Sequence, residues 1–269
     1  MSDGHGRRPV IKAVTWPDDL SAPAQPVTES PVLTELLDTT LVVRLNRPAK
    51  LNAFDDAMLL DLGKVFRAAM SDQSVEALVL TGSGRGFCSG ADIKGSWEPD
   101  SAVFGLRRRL NPVILAMADV EKPVIAAING VVAGAGLGFA GVADVRLSAD
   151  TAVFVPATAE RGIAPDGGMS YSIPRLIGPG RAFRWLCEGD HIDAQTALAW
   201  GLVDEVTTPD DLLPRALSMA SAFLAKPGAA VALTKRLLRS SDTNSLAAQL
   251  ELEHRCQDEA RERRDAPGA

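Results

Sequence analysis

One carboxylate stands in a distinctive setting in the stretch GIAPDGGMSYSIPRLIG, which runs from Gly162 to Gly178. Asp166 lies between a proline and two glycines, and this is the residue pattern of a tight turn. If the same carboxylate were partly buried, its pKa would be raised, and it could accept and return a proton. The residues alone leave both interpretations open, a turn residue or a general base.

Two glycine-rich segments suggest a second kind of chemistry. GSGRGFCSG (Gly82–Gly90) and GAGLGFAG (Gly134–Gly141) each follow an apolar segment and lead towards a helix. Backbone N–H groups at such places lack partners and carry a partial positive charge. Two of them directed at one point form an oxyanion hole for developing negative charge. Gly136 to Gly141 also match a dinucleotide-binding pattern, but the preceding strand is expected to end near Ile128, too early for that fold.

The composition is that of an ordinary globular protein, with 269 residues, 46% hydrophobic and 23% charged. A net charge of −6 argues against nucleic-acid binding. The three cysteines, Cys88, Cys187 and Cys256, are far apart and show no metal-ligand spacing, as expected in a reducing compartment. We find no signal peptide and no apolar run long enough to cross a membrane. These features predict a cytoplasmic protein without a membrane partner.

The order of predicted elements indicates the fold class. Strands and helices alternate to about residue 207, which predicts an α/β fold with largely parallel strands. Three helices are expected after that point, with Asp210 and Asn244 as caps. We therefore predict a flexible tail over 1–30, an α/β core over 31–207 and a helical region over 208–269.

Several blocks of this sequence resemble the enoyl-CoA hydratase/isomerase, or crotonase, superfamily, over about residues 32 to 257. The resemblance implies a spiral of repeated ββα units followed by a helical trimerisation region. It also implies a homotrimer or a dimer of trimers. As a departure from the family pattern, the helical region of this chain is expected to be shortened at its end. The blocks are RLNRPAKLNAF (Arg44–Phe54), LVLTGSGRGFCSGADI (Leu78–Ile93), KPVIAAINGVVAGAGLGFAGVADVRLSA (Lys122–Ala149), PRLIG (Pro174–Gly178) and DAQTALAWGLVDEV (Asp193–Val206).

The resemblance also implies a substrate and a site. The substrate would be an acyl-CoA thioester, with no cofactor apart from the coenzyme A that the substrate carries. The oxyanion hole would be formed by the N–H groups of Ala91 and Ala135. Asp92 is expected to hold its loop rather than to react. Residues implied to line the substrate and CoA path are Lys50, Leu51, Asn52, Ser89, Gly90, Asp92, Ile93, Gly134 and Thr158.

Departures from the family pattern indicate which reaction to expect. Gly138 and Thr158 occupy the positions of the two glutamates that hydratases use, which argues against hydration. Asp166 matches a proton-transferring aspartate of some double-bond isomerases and the nucleophile of 4-chlorobenzoyl-CoA dehalogenases. The dehalogenase pattern also calls for a tryptophan at Thr158 and a histidine near Asn111. An isomerase is therefore favoured, and the alternatives are a dehalogenase, a hydratase or a non-catalytic acyl-CoA-binding homologue.

Overall fold

The computed structural model describes residues 30–92, 106–226 and 229–264, so nearly all of the predicted tail and Ile93 lie outside the described residues. Within these ranges the chain forms ten strands and nine α-helices. The strands are β1 (Val32–Leu37), β2 (Thr40–Leu45), β3 (Ala77–Gly82), β4 (Gly86–Cys88), β5 (Val124–Ile128), β6 (Val131–Ala133), β7 (Val145–Ala149), β8 (Val153–Val155), β9 (Ile192–Asp193) and β10 (Glu205–Thr207). The helices are α1 (Asp56–Ser71), α2 (Asn111–Asp119), α3 (Ala135–Val142), α4 (Met169–Ile177), α5 (Pro179–Glu188), α6 (Ala194–Trp200), α7 (Pro209–Leu224), α8 (Ala230–Ser241) and α9 (Leu246–Arg264).

The strands form two sheets, and the chain alternates between them. The larger sheet has the order β1-β2-β3-β5-β7-β10 and is parallel except for β1. The smaller sheet has the order β4-β6-β8-β9 and is parallel except for β9. Each of β3, β5 and β7 is followed by a strand of the smaller sheet and then by a helix. This repetition confirms the predicted spiral of ββα units.

The larger sheet is buried on both faces, as parallel sheets generally are. Leu78 and Leu80 of β3 face the main core, which includes α1, whereas Val79 between them faces α7. The core side of α1 includes Phe66, which is fully buried, but not Met70. Met70 is 38% exposed because Ala69 takes the inward position in that turn.

Two predicted helix caps were wrong. The side chain of Thr208, not Asp210, caps α7 by accepting a hydrogen bond from the N–H of Asp211. The hydroxyl of Ser245, not Asn244, accepts from the N–H of Ala248 at the start of α9. In both cases the cap lies one or two residues from the predicted one, within the usual uncertainty of helix boundaries.

Helix α8 is fixed to the α/β core by a buried ion pair. The Nζ of Lys235 lies 2.6 Å from an oxygen of Asp144 and donates a second hydrogen bond, of 2.8 Å, to the carbonyl of Lys122. Asp144 also accepts from the N–H of Val124 in β5. Burial lowers the pKa of Lys235 to about 8, although the negative charge of Asp144 opposes this shift. The pair therefore joins the helical region to the larger sheet.

We expect Asp144→Asn to destabilise the protein by about 3 kcal/mol, because it leaves the buried Lys235 ammonium without a countercharge. The measurement is urea unfolding followed by circular dichroism. Asp61→Asn is the matched control, since Asp61 pairs with the exposed Lys64 and such surface pairs contribute about 0–1 kcal/mol. Equal unfolding midpoints for the two variants would show that the Asp144 pair does not hold α8.

Candidate active site

The candidate site lies where three neighbouring parallel strands of the smaller sheet end. The carboxyl ends of parallel strands share one edge of a sheet, and β4, β6 and β8 are adjacent in that order. Ala91 comes three residues after β4, Ala135 two residues after β6, and Thr158 three residues after β8. The topology thus brings together three positions that are far apart in the sequence.

The first candidate donor, the N–H of Ala91, lies in a loop fixed from the opposite side. The N–H of Phe54 donates to the carbonyl of Gly90 over 2.8 Å, and the N–H of Asp92 donates to the carbonyl of Phe54 over 2.9 Å. Gly90 has a φ of +91°, a conformation that favours glycine. The N–H of Ala91 has no acceptor among the described residues. It is therefore available to a ligand.

The second candidate donor, the N–H of Ala135, is at the first position of α3. N–H groups in the first turn of a helix have no intrahelical acceptor, and this one has no acceptor in the described part of the chain. A Cβ atom placed on Gly90 would lie 3.5 Å from the nitrogen of Ala135. The two loops are therefore in contact, as two donors sharing one oxyanion would require.

The turn that carries Asp166 packs against Ala135, the residue of the second donor. A Cβ atom placed on Gly167, the next residue, would lie 3.1 Å from the Cβ of Ala135. Asp166 is half-buried, and its carboxylate has no hydrogen-bond partner on another residue of the described chain. Burial raises the pKa of Asp166 because it penalises the charged form. A carboxyl group with a raised pKa and no side-chain partner has the properties of a proton-transfer group.

The turn that carries Asp166 packs directly on α3 at Gly138. A Cβ atom at Gly138 would overlap the carbonyl oxygen of Gly167. Gly138 is one of the two positions at which the family resemblance calls for a glutamate in hydratases. No side chain of any size fits there while the turn stays where it is. The absence of a glutamate at position 138 and the position of the Asp166 turn therefore depend on the same backbone contact.

Asp92 holds the first donor loop in place. It is buried and accepts hydrogen bonds from Lys50 over 2.6 Å and from Arg47 over 2.9 Å. Burial alone would raise the pKa of Asp92, but the two cationic partners outweigh it, and the pKa is lowered. The carboxylate is therefore an ionised anchor between the loop and the turn at Pro48–Lys50.

The proposed CoA-lining residues play different parts in the structure. Asn52 does not line the CoA path with its side chain, because that side chain is fully buried. Its amide oxygen accepts a hydrogen bond from the N–H of Arg47. Its amide nitrogen donates to the carbonyls of Ser83 and Gly86, so no polar atom of the side chain is left for CoA. Lys50, half exposed, reaches the surface while paired with Asp92. The remaining residues lie in the donor loops or next to them: Leu51 and Ser89, joined by a backbone hydrogen bond, with Gly90, Gly134 and the buried Thr158.

A cavity of about 1260 Å³ lies between the core and the helical region. Gly168, two residues after Asp166, contributes to its wall, as do Ile114 of α2 and Leu238 of α8. The cavity could not be foreseen from the sequence, because its walls come from α2, α3, α4, α7 and α8. Its lining is mainly apolar, and the chain therefore offers a large apolar space close to the candidate base.

The described residues include no group of three His, Cys, Asp or Glu side chains placed to hold a metal ion. In the same part of the chain, no helix has both the length and the apolar character that crossing a bilayer requires.

Comparison with known proteins identifies the class of protein. The family model "Enoyl-CoA hydratase/isomerase" matches residues 36–266. The chain belongs to this family of acyl-CoA enzymes, and the fold described above is the family's fold.

Individual relatives differ in the reactions that their names state. The chain is 34% identical to 1,2-epoxyphenylacetyl-CoA isomerase of Escherichia coli over 82% of this chain and 87% of the relative. It is 34% identical to 4-chlorobenzoyl coenzyme A dehalogenase-1 of an Arthrobacter species, over 81% of each chain. The crystal structure of a monofunctional enoyl-CoA isomerase from M. smegmatis superposes with a TM-score of 0.73 at 34% identity, covering 83% of this chain and 99% of that one. Family membership alone therefore does not decide the reaction.

We expect Gly138→Ala to destabilise the protein by about 1–3 kcal/mol, because the added methyl group meets the backbone of the Asp166 turn. Differential scanning fluorimetry measures the effect. Gly180→Ala is the control, because nothing lies within 4 Å of a Cβ at that helical position, and alanine favours a helix. A Gly138→Ala protein as stable as the Gly180→Ala protein would contradict the close packing of the turn on α3.

We expect Asp166→Asn to raise the melting temperature at pH 7. The raised pKa means that the folded state binds the Asp166 proton more readily than the unfolded state, so stability falls as the pH rises from the ordinary carboxyl range through the raised value. The gain from Asn should therefore disappear in acid, below both pKa values. Melting temperatures measured across this pH range, with the exposed Glu160→Gln as control, test whether Asp166→Asn stabilises the protein. A lower melting temperature for Asp166→Asn than for the wild type at pH 7 would contradict the prediction.

Proposed function

We propose that the protein is an enoyl-CoA isomerase that moves a double bond with an oxyanion hole and a single aspartate. The observation that carries this proposal is the setting of Asp166. It is a half-buried carboxylate with no side-chain partner among the described residues, on a turn that packs against Ala135. The two positions at which a hydratase would hold its glutamates, Gly138 and Thr158, carry no acid.

The reaction requires one group to take a proton and return it. The thioester oxygen would accept hydrogen bonds from the N–H groups of Ala91 and Ala135, which stabilise negative charge on that oxygen. The carboxylate of Asp166 would remove a proton from C2 of a 3-enoyl-CoA, leaving a dienolate. The protonated carboxyl group would then return the proton to C4, and the double bond would move to C2–C3. No water is consumed, so one acid–base group suffices.

The raised pKa of Asp166 suits this cycle. The efficiency of proton transfer increases as the pKa of the catalytic group approaches the working pH. Burial moves Asp166 in that direction while its position beside Ala135 keeps it close to the thioester.

The cavity next to Gly168 supports an acyl group with a bulky apolar part. Its volume of about 1260 Å³ exceeds the usual range of about 300–1,000 Å³ for ligand pockets. We propose that the distal part of the acyl group enters it. Two further parts of the proposal, no separate cofactor and assembly as a trimer or dimer of trimers, depend on the family resemblance. The proposed cytoplasmic setting depends on the cysteine pattern and the other sequence features given above.

Dehalogenation of an aryl-CoA is the second candidate. It is favoured by the relative named as a dehalogenase and by the match of Asp166 to a nucleophilic aspartate. In that reaction the carboxylate would attack a ring carbon, chloride would leave, and water would hydrolyse the aryl ester. Thr158 and Asn111 stand where the resemblance calls for a tryptophan and a histidine, so this reaction ranks below isomerisation.

We expect the wild-type protein to convert a 3-enoyl-CoA to the 2-enoyl-CoA and to incorporate deuterium from deuterated water. Asp166→Asn should lower kcat by 10² or more, since it removes the proton-transfer group. NMR follows product and label together. Glu160→Gln is the matched control, because it removes an exposed carboxylate six residues away and should leave kcat unchanged.

Other outcomes would replace the proposal. Equal activity in Asp166→Asn would return Asp166 to the role of a turn residue. Chloride release from 4-chlorobenzoyl-CoA, with no isomerisation of enoyl-CoA, would establish the dehalogenase instead. Binding of both thioesters with no turnover of either would indicate a non-catalytic acyl-CoA-binding protein.

A further inference from the structure

The wall of the apolar cavity contains a buried hydroxyl group without a partner. Ser172 of α4 is 5% exposed and contributes to the wall one helical turn after Gly168. Its Oγ makes no hydrogen bond with any described residue and, unlike the hydroxyl of Thr158, is not sealed from the cavity. Most buried side-chain polar atoms in proteins are paired, so this hydroxyl is a candidate contact for a ligand in the cavity.

A charged group with free donors also contributes to the wall. The side chain of Arg239 in α8 is 33% exposed. Among the described residues only its Nη2 has acceptors, the carbonyl of Val142 at 3.2 Å and Oδ1 of Asp144 at 3.3 Å. Both distances are long for hydrogen bonds of a charged group. The Nε and Nη1 donors of Arg239 are therefore available to a ligand.

The two groups meet the same part of α3. A Cβ atom placed on Gly141 would lie 3.3 Å from the Oγ of Ser172. The next residue, Val142, accepts the hydrogen bond from Arg239. Consecutive residues at the end of α3 thus contact Ser172 from α4 and Arg239 from α8, which places both groups at one end of the cavity.

This end of the cavity carries an excess of positive charge. Asp144 is the only carboxylate within ion-pair distance of Lys235 and Arg239 among the described residues, at 2.6 and 3.3 Å. Arg175 and Asp242 form a balanced pair. The other charged residues of the wall add no net charge: Arg146 with its partner Asp204, and Lys226 with Asp119.

We propose that this end of the cavity binds a carboxylate at the far end of the acyl group, and that the substrate is therefore the CoA monothioester of a dicarboxylic acid. A guanidinium group with free N–H donors favours a carboxylate, because the hydrogen bonds are charge-assisted. The hydroxyl of Ser172 adds a neutral donor. The apolar remainder of the wall suits the methylene chain between the two ends.

This inference rests on the proposed function, because it takes the acyl group to run from Asp166 past Gly168 into the cavity. The rise of an α-helix places Ser172 about 6 Å beyond Gly168, so the acyl chain must be of medium length to reach it. We therefore choose chains of three lengths for the test.

The test compares thioesters that differ only at the far end of the acyl chain. Isothermal titration calorimetry would measure the binding of adipoyl-, suberoyl- and sebacoyl-CoA beside hexanoyl-, octanoyl- and decanoyl-CoA. Wild-type protein should bind at least one dicarboxylic thioester about tenfold more tightly than its matched partner, as a charged hydrogen bond predicts. Arg239→Met should lose this preference and keep its affinity for the plain acyl-CoA.

Two further variants sharpen the result. Ser172→Ala should reduce the preference about threefold, since it removes a neutral donor and keeps the Cβ. Arg255→Met is the matched control, because Arg255 is exposed on α9, outside the cavity wall, and its loss changes the net charge equally. Arg239→Gln serves if the methionine variant does not fold.

Three outcomes would overturn the inference. The first is equal affinity of the wild type for the two kinds of thioester at every length. The second is a preference that persists in Arg239→Met or Arg239→Gln. The third is a loss of affinity by the same factor for both kinds of thioester in those variants, which would place Arg239 against the CoA part instead.

The saturated thioesters have no double bond to move, so the two proposals can fail separately. A carboxylate preference that depends on Arg239, in a protein that isomerises no enoyl-CoA, would support this inference and overturn the isomerase. An isomerase that depends on Asp166 but shows no carboxylate preference would do the reverse.

Discussion

The architecture depends on one topological constraint, which is that the strands from β3 to β8 alternate between two sheets. Because β4, β6 and β8 are parallel neighbours in the smaller sheet, the loops after them must share one edge. The loops therefore present Ala91, Ala135 and Thr158 side by side, although 67 residues separate the first from the last. The backbone supplies two of the three polar groups, so small side chains suffice at those positions.

The polar groups of the candidate site lack partners, whereas the groups that support the site are paired. The N–H groups of Ala91 and Ala135, the carboxylate of Asp166 and the hydroxyl of Thr158 all lack side-chain or backbone partners elsewhere in the described residues. Asp92 and Asp144, in contrast, each accept from two cationic side chains and anchor a loop or a helix.

The sequence predicts much of this arrangement and misses the rest for physical reasons. The longer strands of the larger sheet and helices α7 and α8 carry clear apolar patterns, whereas β4, β6 and β9 have only two or three residues each, too few for a recognisable period. Asn52 was expected to line the CoA path, but its hydrogen bonds to Ser83 and Gly86 cross more than thirty residues. The cavity depends on how five helices pack, and no local pattern predicts that.

The packing at Gly138 links the absence of a glutamate at position 138 to the position of Asp166. The turn holding Asp166 can approach the Ala135 donor only if its backbone lies directly on α3, and the carbonyl of Gly167 then occupies the space that a side chain at position 138 would need. A glutamate there would have to displace the turn and the base with it. The backbone contact between Gly167 and Gly138 therefore links two features on which the proposed function rests, the absence of an acid at position 138 and the placement of the Asp166 turn on α3.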